Sequence, residues 1–479
     1  MIKSTLVIMI TVFFTISCAT VGPDYSKPSV KLPVKWHRAD GVAISQKSQM
    51  DVEKLAKWWE VLGDPILTSL EEEAVQGNLD VKIALARIRE ARALARVQEA
   101  ELYPTVDASG SYSRQRSSSG GRVSNFFSLG MDSSWEIDLF GGIRRSVEAA
   151  IAELEAAEAG LYEVLVTLTA EVALNYVTMR TYQARLDVAE KNIKIQQETY
   201  ELNRSKYEAG LVDELAVQQA LYNLEHTKSL VPSLKTGIEQ AKNRLALLLG
   251  KQPQEIDKLV DTPASVPKPP VKLMVGIPAA VIKQRPDIRR AERELAAATA
   301  QIGAVKSELY PKLRLYGSIG LESLRAGDLF EWASRVWKIG PGVSWKVFDA
   351  GAIRKNVQAQ KARRDQAFYN YELSILKALQ EVEDVLVAFA QEEKRKYALV
   401  KAVEAAMRAE QLARDRYDAG LVDFTTVLEA QRALQSFQDE LVQSNGAVVS
   451  NFIRLYKALG GGWQSWKAQD NVEERISSR

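Results

Sequence analysis

The sequence has one cysteine, Cys18, and two histidines, His37 and His226, in 479 residues. A disulfide within one chain is excluded, and a structural zinc site has too few ligands. Charge of one sign is also missing: 63 basic against 61 acidic residues leave a formal charge of +2. That argues against a nucleic-acid partner, which requires a concentrated basic field. No nucleophile motif is present, and Gly141-Gly142 lacks the spacing of a phosphate-binding glycine loop. The carboxylates of Asp107, Asp132 and Glu136 fit a solvated face better than acid–base work. No catalytic residue and no metal ligand is therefore assigned, and the chain is not read as an enzyme. Between Ile143 and Lys206 there is no proline and a single glycine, Gly160. Nothing in that stretch ends a helix, and a helix of roughly sixty residues is about 100 Å long.

What the chain has is a repetition. Tyr207-Glu-Ala-Gly210-Leu-Val-Asp213 returns as Tyr417-Asp-Ala-Gly420-Leu-Val-Asp423, at 417 − 207 = 210 residues. The same offset takes Trp135 to Trp345, Gly141 to Gly351, Arg144 to Arg354 and Gly250 to Gly460. Glu101-Leu-Tyr-Pro104 returns as Glu308-Leu-Tyr-Pro311 at 308 − 101 = 207, so the later copy gains 210 − 207 = 3 residues between that motif and its Trp. Such a displacement means two structural repeats, each a whole module. They are placed at 64–251 and 275–461, with an extended Pro-rich linker at 252–274 and a tail at 462–479.

In the first repeat, Asp64 as N-cap and Pro65 open a helix that ends at Pro104. The period then changes to two. Val106, Ala108, Gly110 and Tyr112 alternate with Asp107, Ser109 and Ser111. After a Ser/Gly loop, Phe127, Leu129, Met131, Trp135 and Ile137 alternate with Ser128, Asp132, Ser134, Glu136 and Asp138. This predicts a β-hairpin over 105–138, each strand roughly the ten residues that cross a bilayer when tilted. Aromatics toward the ends of the apolar face, and small or charged residues opposite, favour lipid on one side and a water-filled lumen on the other. The long helix follows, then a turn near 210 and a return helix kinked at Pro232 and capped at Gly250. The second repeat replays the order: a helix through Asp287 and Ala291 to Pro311, two strands within 312–348, a long helix from near Gly351, a turn near 420, and a return helix to Gly460.

The N-terminus reads as a secretory signal over residues 1–17. Lys3 precedes an apolar run, Leu6 to Ile16, too short to span a bilayer. Ser17 and Ala19 flank Cys18 in the lipoprotein arrangement, with Thr15 where that pattern has Leu. Cys18 is therefore the expected site of a covalent lipid, which would hold the N-terminus at the leaflet. Ala19 after it permits sorting to the outer membrane. No other cofactor is expected. Residues 18–63 form a lipid-anchored strap.

Four membrane-length strands cannot close around a lumen, and an open sheet edge is not viable in lipid. Three copies would pool twelve strands, continued by a hollow cylinder of long helices. The expected fold is thus mainly α with membrane β. A periplasmic coiled-coil scaffold is the weaker alternative, disfavoured by the aromatic strands.

The motifs resemble the TolC-type outer membrane factor family. They are Cys18-Ala-Thr-Val-Gly-Pro-Asp-Tyr25 with Pro28, Trp58-Trp59, Asp64-Pro65, Asn78-Leu-Asp with Ala84 and Arg87, both Leu-Tyr-Pro motifs, Trp135-Glu-Ile-Asp-Leu-Phe-Gly-Gly142, Arg285-Pro-Asp287 and both Tyr-x-Ala-Gly turns. The match is to the lipoprotein branch, which serves tripartite efflux pumps of the resistance-nodulation-division class. The resemblance implies a homotrimer with a twelve-stranded barrel and a periplasmic α-barrel. It also implies two partners, a periplasmic adaptor and an inner-membrane pump, and residence in the outer membrane among its lipids. Within this class, a conduit for secreted protein competes with small-molecule efflux, which the lipoprotein-branch motifs favour; the cargo stays open.

The resemblance makes the turns Gly210-Leu211-Val212 and Gly420-Leu421-Val422 the expected adaptor-docking tip. The competing reading is plain helix-turn chemistry. A conduit open at rest would leak, and threefold symmetry makes a ring of any lumen-facing residue. Thr426, Glu429 and Arg432, three apart on one helical face just past the second turn, are the expected periplasmic gate. The competing reading is a solvated Glu429–Arg432 pair.

Overall fold

The computed structural model describes residues 20–37, 44–45, 55–116, 123–260, 264–270, 273–274 and 278–464. The expected signal and lipid site at Cys18 lie outside them. In chain order the elements are α1 (Pro65–Gly77), α2 (Leu79–Ala100), β1 (Thr105–Arg116), β2 (Val123–Ile137), α3 (Gly142–Glu208), α4 (Glu214–Leu249), α5 (Pro253–Val260), α6 (Pro278–Gln284), α7 (Pro286–Ser307), β3 (Lys312–Ser323), β4 (Arg335–Ser344), α8 (Ala352–Asp418) and α9 (Phe424–Ala458). The long helices α3 and α8 have 67 residues each. No described helix is long and apolar enough to cross a membrane. The chain divides into two units.

One unit combines the N-terminal segment to Val30 with Leu85–Ala159 and Asp287–Ser374. Its centre is one antiparallel sheet in the order β1-β2-β3-β4, with β1 and β4 at the edges. The helices beside it pack through small residues, because only these let backbones approach closely. Ala152, Ala296 and Ala297 form one buried cluster with Tyr25 against it. A Cβ on Gly303 would stand 2.6 Å from the Val21 carbonyl oxygen.

The other unit combines Lys31–Ala84, Gly160–Pro286 and the chain from Ile375 onward. Its core is aromatic: the ring of Trp58 stacks on Tyr456 at 5.8 Å and meets Trp59 edge-on at 5.8 Å. Asp64 caps α1, accepting from the amides of Ile66 and Leu67 at 2.9 and 3.1 Å, while its other oxygen accepts from Tyr176 at 2.7 Å.

Several boundaries differ from the sequence reading. The single helix from Pro65 toward Pro104 is two. Asn78 breaks it, its Oδ1 accepting from the amides of Asp80 and Val81 and its Nδ2 donating to the Leu248 carbonyl at 2.8 Å. Gly77 must be glycine there, since a Cβ would lie 2.1 Å from the Leu249 oxygen. The linker is not wholly extended: Pro253 starts α5, which buries Ile256 and Val260, as a proline at the first helical position allows. Likewise Pro286 restarts the helix after α6, and α7 stops at Ser307. The last strand ends at Ser344, short of 348. Trp463, read as tail, is buried with its ring 4.5 Å from Tyr162. The return helix α4 runs through Pro232 as one assigned helix.

Glu71 on α1 is fully buried, and neither carboxylate oxygen has a hydrogen-bond partner among the described residues. Burial holds its carboxyl well above the usual range. The folded protein therefore keeps a proton that the unfolded chain gives up. The group's stability contribution is full below the unfolded carboxylate range and is lost as pH rises toward the folded pKa. Glu71→Leu is expected to stabilise the protein by about 1 to 3 kcal/mol, with a gain that grows from acid to neutral pH. Thermal midpoints of wild type and variant at both pH values check it; equal gains at both would show that Glu71 does not hold a proton.

Candidate functional site

The sheet has two chemically different faces, and the register fixes which residues share one. Asp107, Asp132, Ser318 and Lys338 stand in one row across all four strands. On this polar face Glu136 accepts from Arg314 at 2.9 Å and pairs with Lys312 at 3.2 Å, and the hydroxyls of Ser111 and Ser128 bond at 2.8 Å. The opposite face carries the pairs Tyr112–Phe127, Met131–Ile319 and Trp135–Leu315, continued by Ile319–Trp337. The rings of Tyr112 and Phe127 lie 4.8 Å apart.

The two repeated motifs turn out to be one contact. The indole N–H of Trp135 donates to the Leu102 carbonyl at 2.9 Å, and that of Trp345 to the Leu309 carbonyl at 3.0 Å. Each repeat thus ties its second strand to its own Leu-Tyr-Pro segment, which explains why both motifs recur together.

The N-terminal segment docks where β2 hands over to α3. The Val21 amide donates to the Phe140 carbonyl at 3.0 Å. Gly141, at φ +75°, lies so close to Thr20 that a Cβ would come within 2.5 Å of it. Asp24 forms an ion pair with the buried Arg145, and Lys27 with Glu292.

The two turns are near-copies. Gly210 and Gly420 have φ +70° and +71°. The Leu211 amide donates to the Lys206 carbonyl at 2.8 Å, and the Leu421 amide to Arg416 at 2.9 Å. These left-handed caps satisfy carbonyls left open at the helix ends. Leu211 and Leu421 are 74% and 73% exposed, whereas Val212 packs on a buried cluster that includes Ala216, Ala413, Phe424 and Val427. The similarity ends at the helices beside the turns. Tyr417 donates to Asn203 Oδ1 at 2.5 Å, while its counterpart Tyr207 is exposed. Lys206 pairs with Asp418 at 3.0 Å and sits over the Tyr417 ring. Burial, then Asp418 and Asp213, raises the Tyr417 phenol above its ordinary pKa, so it remains a donor.

Thr426, Glu429 and Arg432 are all exposed along α9. Arg432 does not pair with Glu429. Its Nε donates to Asn223 Oδ1 at 3.1 Å and its guanidinium lies 4.8 Å from the Tyr222 ring centre, both on α4. Farther from the turn, Arg185 on α3 grips Asp439 on α9 with two bonds of 2.7 and 3.0 Å. Sequence reasoning missed Asn203, Asn223 and Tyr222 as partners. The one available signal was that Tyr222 occupies, in the first repeat, the position Arg432 holds in the second.

The profile of the outer membrane efflux protein family matches over residues 70–251 and again over 277–461. The two matches are offset by 277 − 70 = 207 at their starts and 461 − 251 = 210 at their ends, the offsets of the repeated motifs. Nodulation protein T of Rhizobium leguminosarum bv. trifolii is 33% identical over 468 residues, covering 95% of this chain and 97% of that protein. The antibiotic efflux pump outer membrane protein ArpC of Pseudomonas putida is 31% identical over 493 aligned positions, covering 100% and 99%. The solved outer-membrane channel OprN superposes with a TM-score of 0.88 at 35% identity, over 93% of this chain and 100% of that one.

Proposed function

The chain belongs to the outer membrane efflux protein family, and from that premise we propose how its parts assemble and act. The protein is the outer membrane channel component of a tripartite efflux system, conducting small molecules from periplasm to exterior, and is not an enzyme. Members of the family work with a periplasmic adaptor and an inner-membrane pump. For this chain the proposed assembly is a homotrimer serving a pump of the resistance-nodulation-division class. One observation carries the trimer: among the described residues the sheet stops at β1 and β4, two strands of 12 and 10 residues whose outer edges pair with no further strand. In lipid those edges must be paired, and joining β4 of one copy to β1 of the next closes a twelve-stranded barrel around the polar face. Purification in detergent, native mass determination and planar-bilayer conductance test it; a monomer without conductance would overturn the reading.

Cys18 is proposed to carry the lipid. Thr20 is held beside Gly141, four residues past the end of β2 at Ile137. The anchor is separate from the pore. Cys18→Ala is expected to lose label from a radioactive fatty acid yet to keep conductance once reconstituted; retained label would refute the acylation. The two Gly-Leu-Val turns are proposed as the adaptor contact, and Thr426, Glu429 and Arg432 as the resting closure.

A further inference from the structure

We propose that the lipid-facing rim of the barrel binds the phosphates of outer-leaflet glycolipid headgroups through Arg114, Arg116 and Arg335. The register carries the inference. On the apolar face, β1 runs Val106, Ala108, Gly110, Tyr112 and then Arg114 and Arg116, while β4 begins at Arg335 and continues Trp337, Ile339, Pro341 and Val343. The two middle strands present no charge on that face. All three of its charges are therefore arginines, and all three stand at the strand ends nearest the inter-strand loops. Those ends are opposite the helices and so face the exterior.

Their height is set by the aromatics. Phe127 and Trp135 are eight residues apart on β2, roughly 20 Å along the membrane normal for a strand tilted by about 40°, close to the apolar band of such barrels. Tyr112 pairs with Phe127 at the outer edge of that band. Arg114 and Arg116 lie beyond it, and Arg335 lies one step beyond Trp337. None of the three forms an ion pair among the described residues, and all are exposed. Arg335 instead stacks over Trp332, 3.5 Å from its ring centre, and Trp332 is itself 79% exposed. The loop acids Asp328 and Glu331 do not bond to Arg335; the Asp328 carbonyl accepts from Ser334 at 2.6 Å.

An unpaired guanidinium at headgroup depth needs an anion, and phosphate takes it through two parallel hydrogen bonds. An exposed indole beside it suits the apolar face of a sugar. Phosphorylated glucosamine lipid, the outer-leaflet lipid of this membrane, offers both. Barrel closure, which rests on the trimer proposed above, brings β4 of one copy beside β1 of the next and gathers the three arginines at each seam.

The full-length protein in detergent, titrated with bisphosphorylated lipid A and with the same lipid stripped of phosphate, tests this by native mass spectrometry. Wild type is expected to hold the phosphorylated lipid at least about tenfold more tightly. Arg114→Gln/Arg116→Gln/Arg335→Gln should abolish that preference, and Arg335→Gln alone, a single change on an edge strand, should reduce it. Lys338→Gln on the polar face should leave it unchanged. Inorganic phosphate at millimolar concentration should not displace the lipid. Equal binding of both lipids by wild type, or an undiminished preference in the triple variant, overturns the proposal. Displacement by inorganic phosphate would mean an anion site without lipid specificity and also overturns it. The same spectra report the assembly and so separate the two failures: a monomer overturns the trimer and the seam with it, whereas a trimer that holds both lipids equally overturns this inference alone.

Discussion

Gly420→Trp is expected to abolish efflux while leaving the assembled channel intact, and Gly210→Trp to do the same. A Cβ added at either glycine meets nothing within 4 Å. The Cβ of the new residue therefore has no described neighbour in its own chain to displace. What remains is the backbone: φ near +70° at both positions costs an L-residue about 1 to 2 kcal/mol. The buried cluster behind the turns, with Phe424, Val427 and Leu428, exceeds that cost. Leu211 and Leu421 stay exposed in the chain, and a bulky neighbour would lift a partner off them. Gly420→Asn is the control, because Asn tolerates the left-handed conformation with a small side chain; it should keep most of the efflux. Efflux of a small molecule that the wild-type protein restores to a strain lacking its own channel, together with native gels of extracted protein, measures both halves. Wild-type efflux from Gly420→Trp would count decisively against docking at the turn.

The repeat and the sheet were legible because their signals are long. A heptad returning at a fixed offset, and alternation held over four segments, survive local noise. The Trp135–Leu102 and Trp345–Leu309 bonds show why the two motifs recur together in both copies, although three more residues separate them in the second. What was misread is short. Pro253 read as part of an extended linker, yet it stands at the first position of a helix, where a missing N–H costs nothing. Asn78 looked like an ordinary helix residue because its role depends on Leu248, 170 positions away. The same holds at the tip. No pattern within a window announces that Tyr417 bonds Asn203 or that Arg432 reaches Asn223. The candidate gate was chosen by its spacing on one helix, and its partners lie on another.

Those partners sharpen the expectation for the gate, and they divide it between two residues. Arg432 links α9 to α4 by a hydrogen bond and a ring contact. It therefore bears on whether the two return helices stay together. Glu429 is exposed on the same helix, and in a trimer it would present a ring of carboxylates to the lumen. A hydrogen bond and a cation–π contact at a partly exposed site are together worth about 1 to 1.5 kcal/mol. If they hold the closed arrangement, losing them raises the open fraction of each copy about tenfold. Arg432→Ala is thus expected to raise the resting conductance of reconstituted trimers with little change in ion selectivity. Glu429→Ala is expected to lower the cation preference with little change in conductance. The double variant should show both effects. Asn223→Ala, which removes the hydrogen-bond acceptor on the other helix and leaves the Tyr222 contact, should reproduce part of the conductance change of Arg432→Ala without altering the charge of either gate residue; that separates a tie between helices from a charge in the pore. Unchanged conductance and unchanged selectivity in Glu429→Ala/Arg432→Ala would return both residues to the solvated surface.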